Sequence, residues 1–249
     1  MVVGWGMGVA LLVLTVVAAA VTGLAGLGIA RGVATAAVRA VLQLAAVSVV
    51  IIAVVHSLWL SLAFVVVMLG VAAVTSARRM TPQRNGLLAA VPIAVGAGPV
   101  IGIVVLTGAV PMTGIALVPI CGIVIGGAMT VTSLAGRRAL DELTTRRGEY
   151  EAALSLGFTE RDAATELVRP AARHALVPAM DQTRTVGLVT LPGAFVGVLI
   201  GSGNPVQAGA AQVLVLIGLL AAEAVAAVVT TELVARGRIS RLQDRVRPR

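Results

Sequence analysis

The chain has 249 residues, 58% of them hydrophobic and 12% charged, with a mean hydropathy of +1.01, which excludes an ordinary soluble domain. All nineteen basic residues are arginine; without a lysine the chain cannot carry a P-loop, whose Lys reaches the phosphates, nor Schiff-base or Ser-Lys chemistry. One cysteine gives no disulfide framework, and despite the net charge of +8 the placement of the charges argues against nucleic acid.

A membrane span needs about 20 apolar residues, and the chain has room for seven. The first apolar run covers about Trp5 to Gly28, with Arg31 behind it; the N-terminus has no basic region before this run, which predicts a retained span rather than a signal peptide. Arg39 opens the second, which ends near His56. The third runs from about Leu58 to Thr75 and stops at Arg78-Arg79, with Arg84 close behind. The fourth, roughly Gly86 to Thr107, holds Pro92, Gly96, Gly98, Pro99 and Gly102. After an uncharged link comes the fifth, about Ile115 to Ala135. A polar loop occupies about 136–185. The sixth run, about Val186 to Ile200, is broken by Pro192 and glycines, and an earlier start is the alternative. The seventh covers about Ala208 to Ala235, and an Arg-rich tail, 236–249, closes the sequence.

The arginines set an orientation. With seven spans, two fall in the first connection, three in the third, eight in the fifth and six in the tail; none falls in the alternate links. That asymmetry predicts the N-terminus outside, the C-terminus inside and the polar loop in the cytoplasm. The loop carries eight arginines and eight acids. A charge-balanced, helix-forming loop suits docking to protein better than to lipid, whereas the basic tail is expected to lie against anionic headgroups.

Within the loop, Tyr150, Ala153, Leu154, Gly157 and Phe158 fall on one face of a helix. Gly157 sits where that helix needs a left-handed terminal residue. Thr159 and Asp162 resemble a capping box with Asp in place of Glu or Gln. A second helix then aligns Ala164, Leu167, Val168 and Ala171, with Pro170 limiting its regularity. The product is an elbow with one apolar and one charged face, which fits a partner's groove. Its spacing, Glu151-Ala152-Ala153, Gly157, then Leu167-Val168-Arg169-Pro170, resembles the EAA loop by which the membrane subunits of ABC transporters dock on their ATPase. Leu167 stands for that pattern's Ile and Pro170 for its Pro; Arg169 departs from its Leu.

Chemistry concentrates in the last two spans. Glu223 lies near the middle of the seventh, where a carboxylate costs roughly 2.5–3.5 kcal/mol on insertion scales. It serves either as a substrate or proton site or as a structural hydrogen bond between helices. Gln43 in the second span and Gln212 in the seventh are weaker path candidates, each readable as helix glue. Pro192-Gly193 can unwind a helix and free carbonyls toward a cavity, and the run Pro92 to Gly102 invites the same reading; a kink is the alternative for both. Gly193, Gly197 and Gly201 form a small-residue series, as do Gly122 and Gly126, marking close packing within the subunit or between two copies. His56, His174, Cys121, Met112 and Met129 are scattered, without metal spacing, so no metal site and no catalytic residue is assigned.

Taken whole, the sequence resembles the FetB-type permease family, UPF0014, in PICGIVIGGAMTVTSL, the elbow, LPGAFVGVLIGSGNPVQAGAAQVLVL, and Arg39 with Gln43-Leu44. The resemblance implies a single permease domain over 1–249, coupled to a separate FetA-like ATPase that carries ATP and Mg, and export of iron or another metal ion. The EAA loop itself is best known from importers. Gly127 and Thr130 replace asparagines of the family, and Ala194, Phe195, Val196 and Val198 replace its Met, Met, Thr and Gln. The side chains lost are those that could touch a metal. The sequence therefore predicts an all-α integral membrane protein with about seven transmembrane helices, in the inner or plasma membrane, surrounded by lipid and forming a homodimer. Glu151, Ala152, Ala153, Gly157, Leu167 and Pro170 would form the ATPase joint; Gln43, Pro192, Gly193, Gly197, Gln212 and Glu223 would line the path. A proton-coupled secondary transporter or channel using Glu223 is the alternative.

Overall fold

A computed structural model describes residues 4–241, Val55 by its backbone alone. Among the described residues the chain is helical: α1 (Trp5–Leu24), α2 (Ala30–Val55), α3 (Leu58–Met80), a 3₁₀ turn (Arg84–Ala89), α4 (Ala90–Leu106), α5 (Gly114–Thr145), α6 (Arg147–Ser155), α7 (Glu160–Thr185), α8 (Gly193–Ser202) and α9 (Pro205–Ala235). Six helices are long and apolar enough to cross a membrane, and α8, with ten residues, is not.

The helices fall into two compact units that meet in sequence at His56–Ser57. The first is the hairpin of α1 and α2, joined by a turn in which Gly26 and Gly28 take positive φ. No residue of α1 is buried, which fits a helix apolar on every side and solvated by lipid.

The second unit holds the core. α4 is continuous through Pro99, so the run from Pro92 to Gly102 is a packed helix rather than an unwound segment. Its glycine has a packing role: a Cβ on Gly96 would stand 2.5 Å from the Ala222 carbonyl oxygen of α9. Small residues let these backbones approach. α5 outlasts its apolar run by ten residues, so the predicted loop from 136 begins as helix. The whole stretch to 185 is helical save for the breaks at Arg146 and Leu156–Thr159.

Met80, Ala89, Leu140, Val168, Val234 and Ile239 form one buried cluster. It gathers the C-terminal ends of α3, α5 and α9 with the N-terminal ends of α4 and α7 at one end of the bundle. The first residues of the tail belong to it. Ile239 is fully buried, the Ser240 carbonyl accepts from Thr81 and Asn85, and Arg241 donates to the Met80 carbonyl and to Asp141 at 2.6 Å. The expectation that the tail rests on headgroups is thus corrected for 239–241, because Ile239 has an apolar pocket to fill; 236–238 are exposed, and 242–249 lie outside the described residues.

The sixth predicted span takes a form that periodicity alone did not give. α7 climbs along α9: Arg161 pairs with Glu232, Ala175 packs near Ala227, Gln182 and Glu223 line one cavity, and the Phe195 amide of α8 donates to Gln212. α7 is too polar to stand among the six helices fit to cross a membrane and α8 is too short, so the sixth predicted run is observed as the ten-residue α8 preceded by a non-helical break over 186–192. In that break Gly187 has φ +80° and Val186 forms an isolated bridge to Thr190.

Candidate coupling elbow and transport path

The elbow forms as its sequence dictates. α6 ends in a Schellman motif: the Phe158 amide donates to Ala153 and the Gly157 amide to Leu154, with Gly157 at φ +93°. That conformation is left-handed, and a Cβ there costs roughly 1–2 kcal/mol. Thr159 caps α7, accepting the Asp162 amide at 3.2 Å while its hydroxyl donates to the Asp162 carboxylate at 2.7 Å. Ala164, Leu167, Val168 and Ala171 are all buried, the apolar face predicted for the second helix. Pro170 does not interrupt it. α7 runs through both Pro170 and Pro178 to Thr185, its apolar face held against α5 and α9.

The other face is open. Glu151 and Ala152 are exposed, Ala153 and Pro170 half-buried. α6 buries nothing, and it is laced by Arg146 to Glu149 and Arg147 to Glu151 at 2.8 Å. The Arg146 hydrogen bond holds the Glu149 carboxyl below the usual carboxylate range. At the tip Leu156 is 80% exposed and Phe158 49%, two large apolar side chains offered on a charged turn. Behind it, Arg161 reaches Glu232 of α9 at 2.8 Å, where Arg236 also donates.

The path candidates divide. Gln212 is buried and accepts the Phe195 amide at 3.1 Å, fixing the first turn of α8 to α9. Pro192 is the N-cap of α8, Gly193 its first residue, and Gly197 follows one turn on with open space at its Cβ position. These four lie near one another, at the α8 level. Glu223 lies eleven residues along α9 from Gln212, about 16 Å by helical rise, in a different place. Gln43 is exposed on α2, in the first unit.

Glu223 is the buried end of an open cavity of about 270 Å³ lined by α5, α7 and α9. It is 6% exposed and its Oε2 has no hydrogen-bond partner. Gly127 makes room for it: a Cβ there would come within 2.6 Å of Glu223 Oε1 and would also meet Leu219. Thr130 and Gln182, both exposed, supply the other polar side chains of the lining. The sequence reading missed Gln182, which lies on the polar face of α7 and carries no local signal. Gly127 and Thr130 both line this cavity. The break between α7 and α8 follows it directly in the chain, three residues after Gln182.

The profile of the family described as "Uncharacterised protein family (UPF0014)" matches residues 5–239. The UPF0014 membrane protein STAR2 of rice is 34% identical over 70% of this chain and 61% of its own length. Protein ALUMINUM SENSITIVE 3 of Arabidopsis thaliana is 32% identical over 72% and 65%, so the chain spans somewhat under two thirds of either plant protein. The probable iron export permease protein FetB of Escherichia coli is 31% identical over 59% of this chain and 56% of its own length. No solved structure matches. With the profile covering nearly all its helices, this multi-pass membrane protein belongs to the UPF0014 family.

Proposed function

We propose that the chain is the membrane permease subunit of an ABC transporter, N-terminus outside and C-terminus inside, in the inner or plasma membrane. A separate FetA-like ATPase, holding ATP and Mg, docks at the elbow 151–170. The observation that carries this reading is the elbow's two-sidedness. Leu167, Val168 and Ala171 lock α7 into the bundle, while Leu156 and Phe158 stand exposed on a turn that only Gly157 permits. An exposed apolar pair on a rigid, charged turn suits insertion into a partner's groove.

In this mechanism ATP closes the ATPase dimer and pulls on α6 and α7 of each of two permease copies. α7 is tied to α9 by the Arg161–Glu232 pair and by the buried face, so the pull reaches the wall of the Glu223 cavity. The cavity then opens alternately to the two sides by a rigid-body movement. A cavity beside a broken helix is where transporters place cargo, and the lone carboxylate suits a positive one. The name of the E. coli relative makes iron, exported, the first cargo to test.

Co-expression and co-purification with an ABC ATPase of the FetA type tests the reading. The wild-type chain retains the ATPase and stimulates its turnover. Gly157→Asp, which places a charged side chain at φ +93°, lowers stimulated turnover at least tenfold while the permease still inserts. Undiminished ATPase binding and transport in Gly157→Asp overturns the elbow assignment.

A further inference from the structure

The cavity holds one charged group. Glu223 sits buried with Oε2 unpartnered, and neither arginine nor histidine lines the cavity with it. Much of the wall is apolar, with Ile123, Leu134, Pro178 and Leu219 among its residues. An anion entering would meet the carboxylate with no counter-charge. A cation would supply the partner that a buried carboxylate requires.

The donor set separates one kind of cation from another. Metal ions take four to eight ligand atoms, Ca²⁺ and Mg²⁺ mostly oxygens and Zn²⁺ nitrogen or sulfur. The polar side chains here are one carboxylate, one hydroxyl and one amide. The Thr130 hydroxyl already donates to the Gly126 carbonyl at 2.9 Å, so it faces a ligand as an acceptor. The space, about 270 Å³, is far more than a bare ion fills. Apolar walls around a single carboxylate suit a ligand with a hydrocarbon part and one positive nitrogen.

We propose that this cavity binds a small organic cation, a substituted ammonium or amidinium. Its charge meets the Glu223 carboxylate, its apolar part lies on Leu134, Pro178 and Leu219, and Thr130 and Gln182 accept hydrogen bonds from it. The assignment rests on the transport reading above and sets this class of cargo against the metal ion that the relative's name suggests.

Gly126 provides the control. A Cβ at that position meets nothing within 4 Å, so a larger side chain there enters open space in the cavity and leaves the carboxylate and the packing behind it intact. The full chain in lipid nanodiscs is titrated calorimetrically with n-butylammonium, tetraethylammonium and guanidinium chloride, with Mn²⁺ and with acetate. The organic cations bind in preference to Mn²⁺, and acetate gives no heat. Glu223→Gln weakens the organic cations by about thirtyfold or more, the loss expected when one side of a buried charge pair is removed. Gly126→Leu abolishes their binding with the unfolding midpoint retained. The proposal is overturned if none of the three organic cations binds, if binding survives both substitutions, or if Mn²⁺ binds more tightly and is the ligand lost in Glu223→Gln. None of these readings involves the ATPase. Failure here leaves co-purification at the elbow standing, and failure of co-purification leaves these titrations unchanged.

Discussion

The end of the second unit that gathers Leu140, Val168 and Ile239 and the Glu223 cavity sit on the same helices, α5, α7 and α9, yet they treat polar groups in opposite ways. At the end of the bundle Glu232 accepts from two arginines, Asp141 from Arg241, and the Ser240 carbonyl from Thr81 and Asn85. Behind them lies a cluster in which Leu140, Ala139 and Ile239 are wholly buried. In the cavity the one carboxylate lacks a partner at Oε2 and glycines replace side chains in the wall. The first region is satisfied within the chain and the second is not; if the cavity binds the proposed ligand, stability and function are separated along the length of the same three helices.

Core truncation gives the largest break in this comparison. Leu140→Ala removes a fully buried side chain and lowers unfolding stability by about 2–5 kcal/mol. Leu134→Ala, on the half-buried cavity wall, costs less than about 1.5 kcal/mol. Unfolding midpoints of the two variants in one detergent check the difference. Equal losses would mean that the cavity wall is as tightly built as the end of the bundle. Gly157→Ala comes next. Its φ of +93° makes the Cβ cost about 1–2 kcal/mol, confined to the tip because α6 buries nothing. Limited proteolysis at the elbow speeds up about tenfold, while the global midpoint moves little.

Much of this was readable from the residues. Six of the seven apolar runs, the left-handed glycine and the buried face Ala164, Leu167, Val168, Ala171 follow from the local sequence, and the structure has them in place; the sixth run is only the ten-residue α8. What was not readable depends on contacts between distant segments. Pro170 reads as limiting the second helix's regularity, yet α7 continues through it and through Pro178 because its face is held against α5 and α9. Ile239 and Arg241 looked like part of a plain basic tail, since nothing in that run announces Asp141 and Met80, which are 100 and 161 residues away. Gln182 reaches the Glu223 cavity only because α7 packs against α9, and Thr130 only because α5 does, registers that no single helix encodes.

A third substitution tests whether the cavity tolerates what the core does not. Gly127→Ala gains about 1 kcal/mol of helix propensity. It also pushes on the ends of the Leu219 and Glu223 side chains, which can turn aside at modest cost. The two effects nearly cancel, and the unfolding midpoint shifts by less than about 1 kcal/mol. The crowding falls on the Glu223 carboxylate, so transport drops severalfold while stability holds. A large loss of stability instead would show that Gly127 serves packing, as Gly96 does.

The smallest expected effect on stability is at the joint between the two regions. Arg161 and Glu232 are partly exposed, at 51% and 30% of their side chains, and pairs of that kind contribute about 0–1 kcal/mol. Glu232 also keeps Arg236, at 2.6 Å, when Arg161 is lost. Arg161→Gln should therefore leave the unfolding midpoint within a few tenths of a kcal/mol of wild type, and Glu232→Gln, which loses both arginines, should cost slightly more. If the pair carries movement from the elbow to α9, each variant still binds the ATPase but moves less substrate per ATP hydrolysed, and the double variant is no worse than Glu232→Gln alone. That non-additivity is the deciding measurement, because a pair serving only surface solvation gives two small, independent effects that add. Additive losses would leave the buried face of α7 as the sole link, with the force on the cavity transmitted by Leu167, Val168 and Ala171.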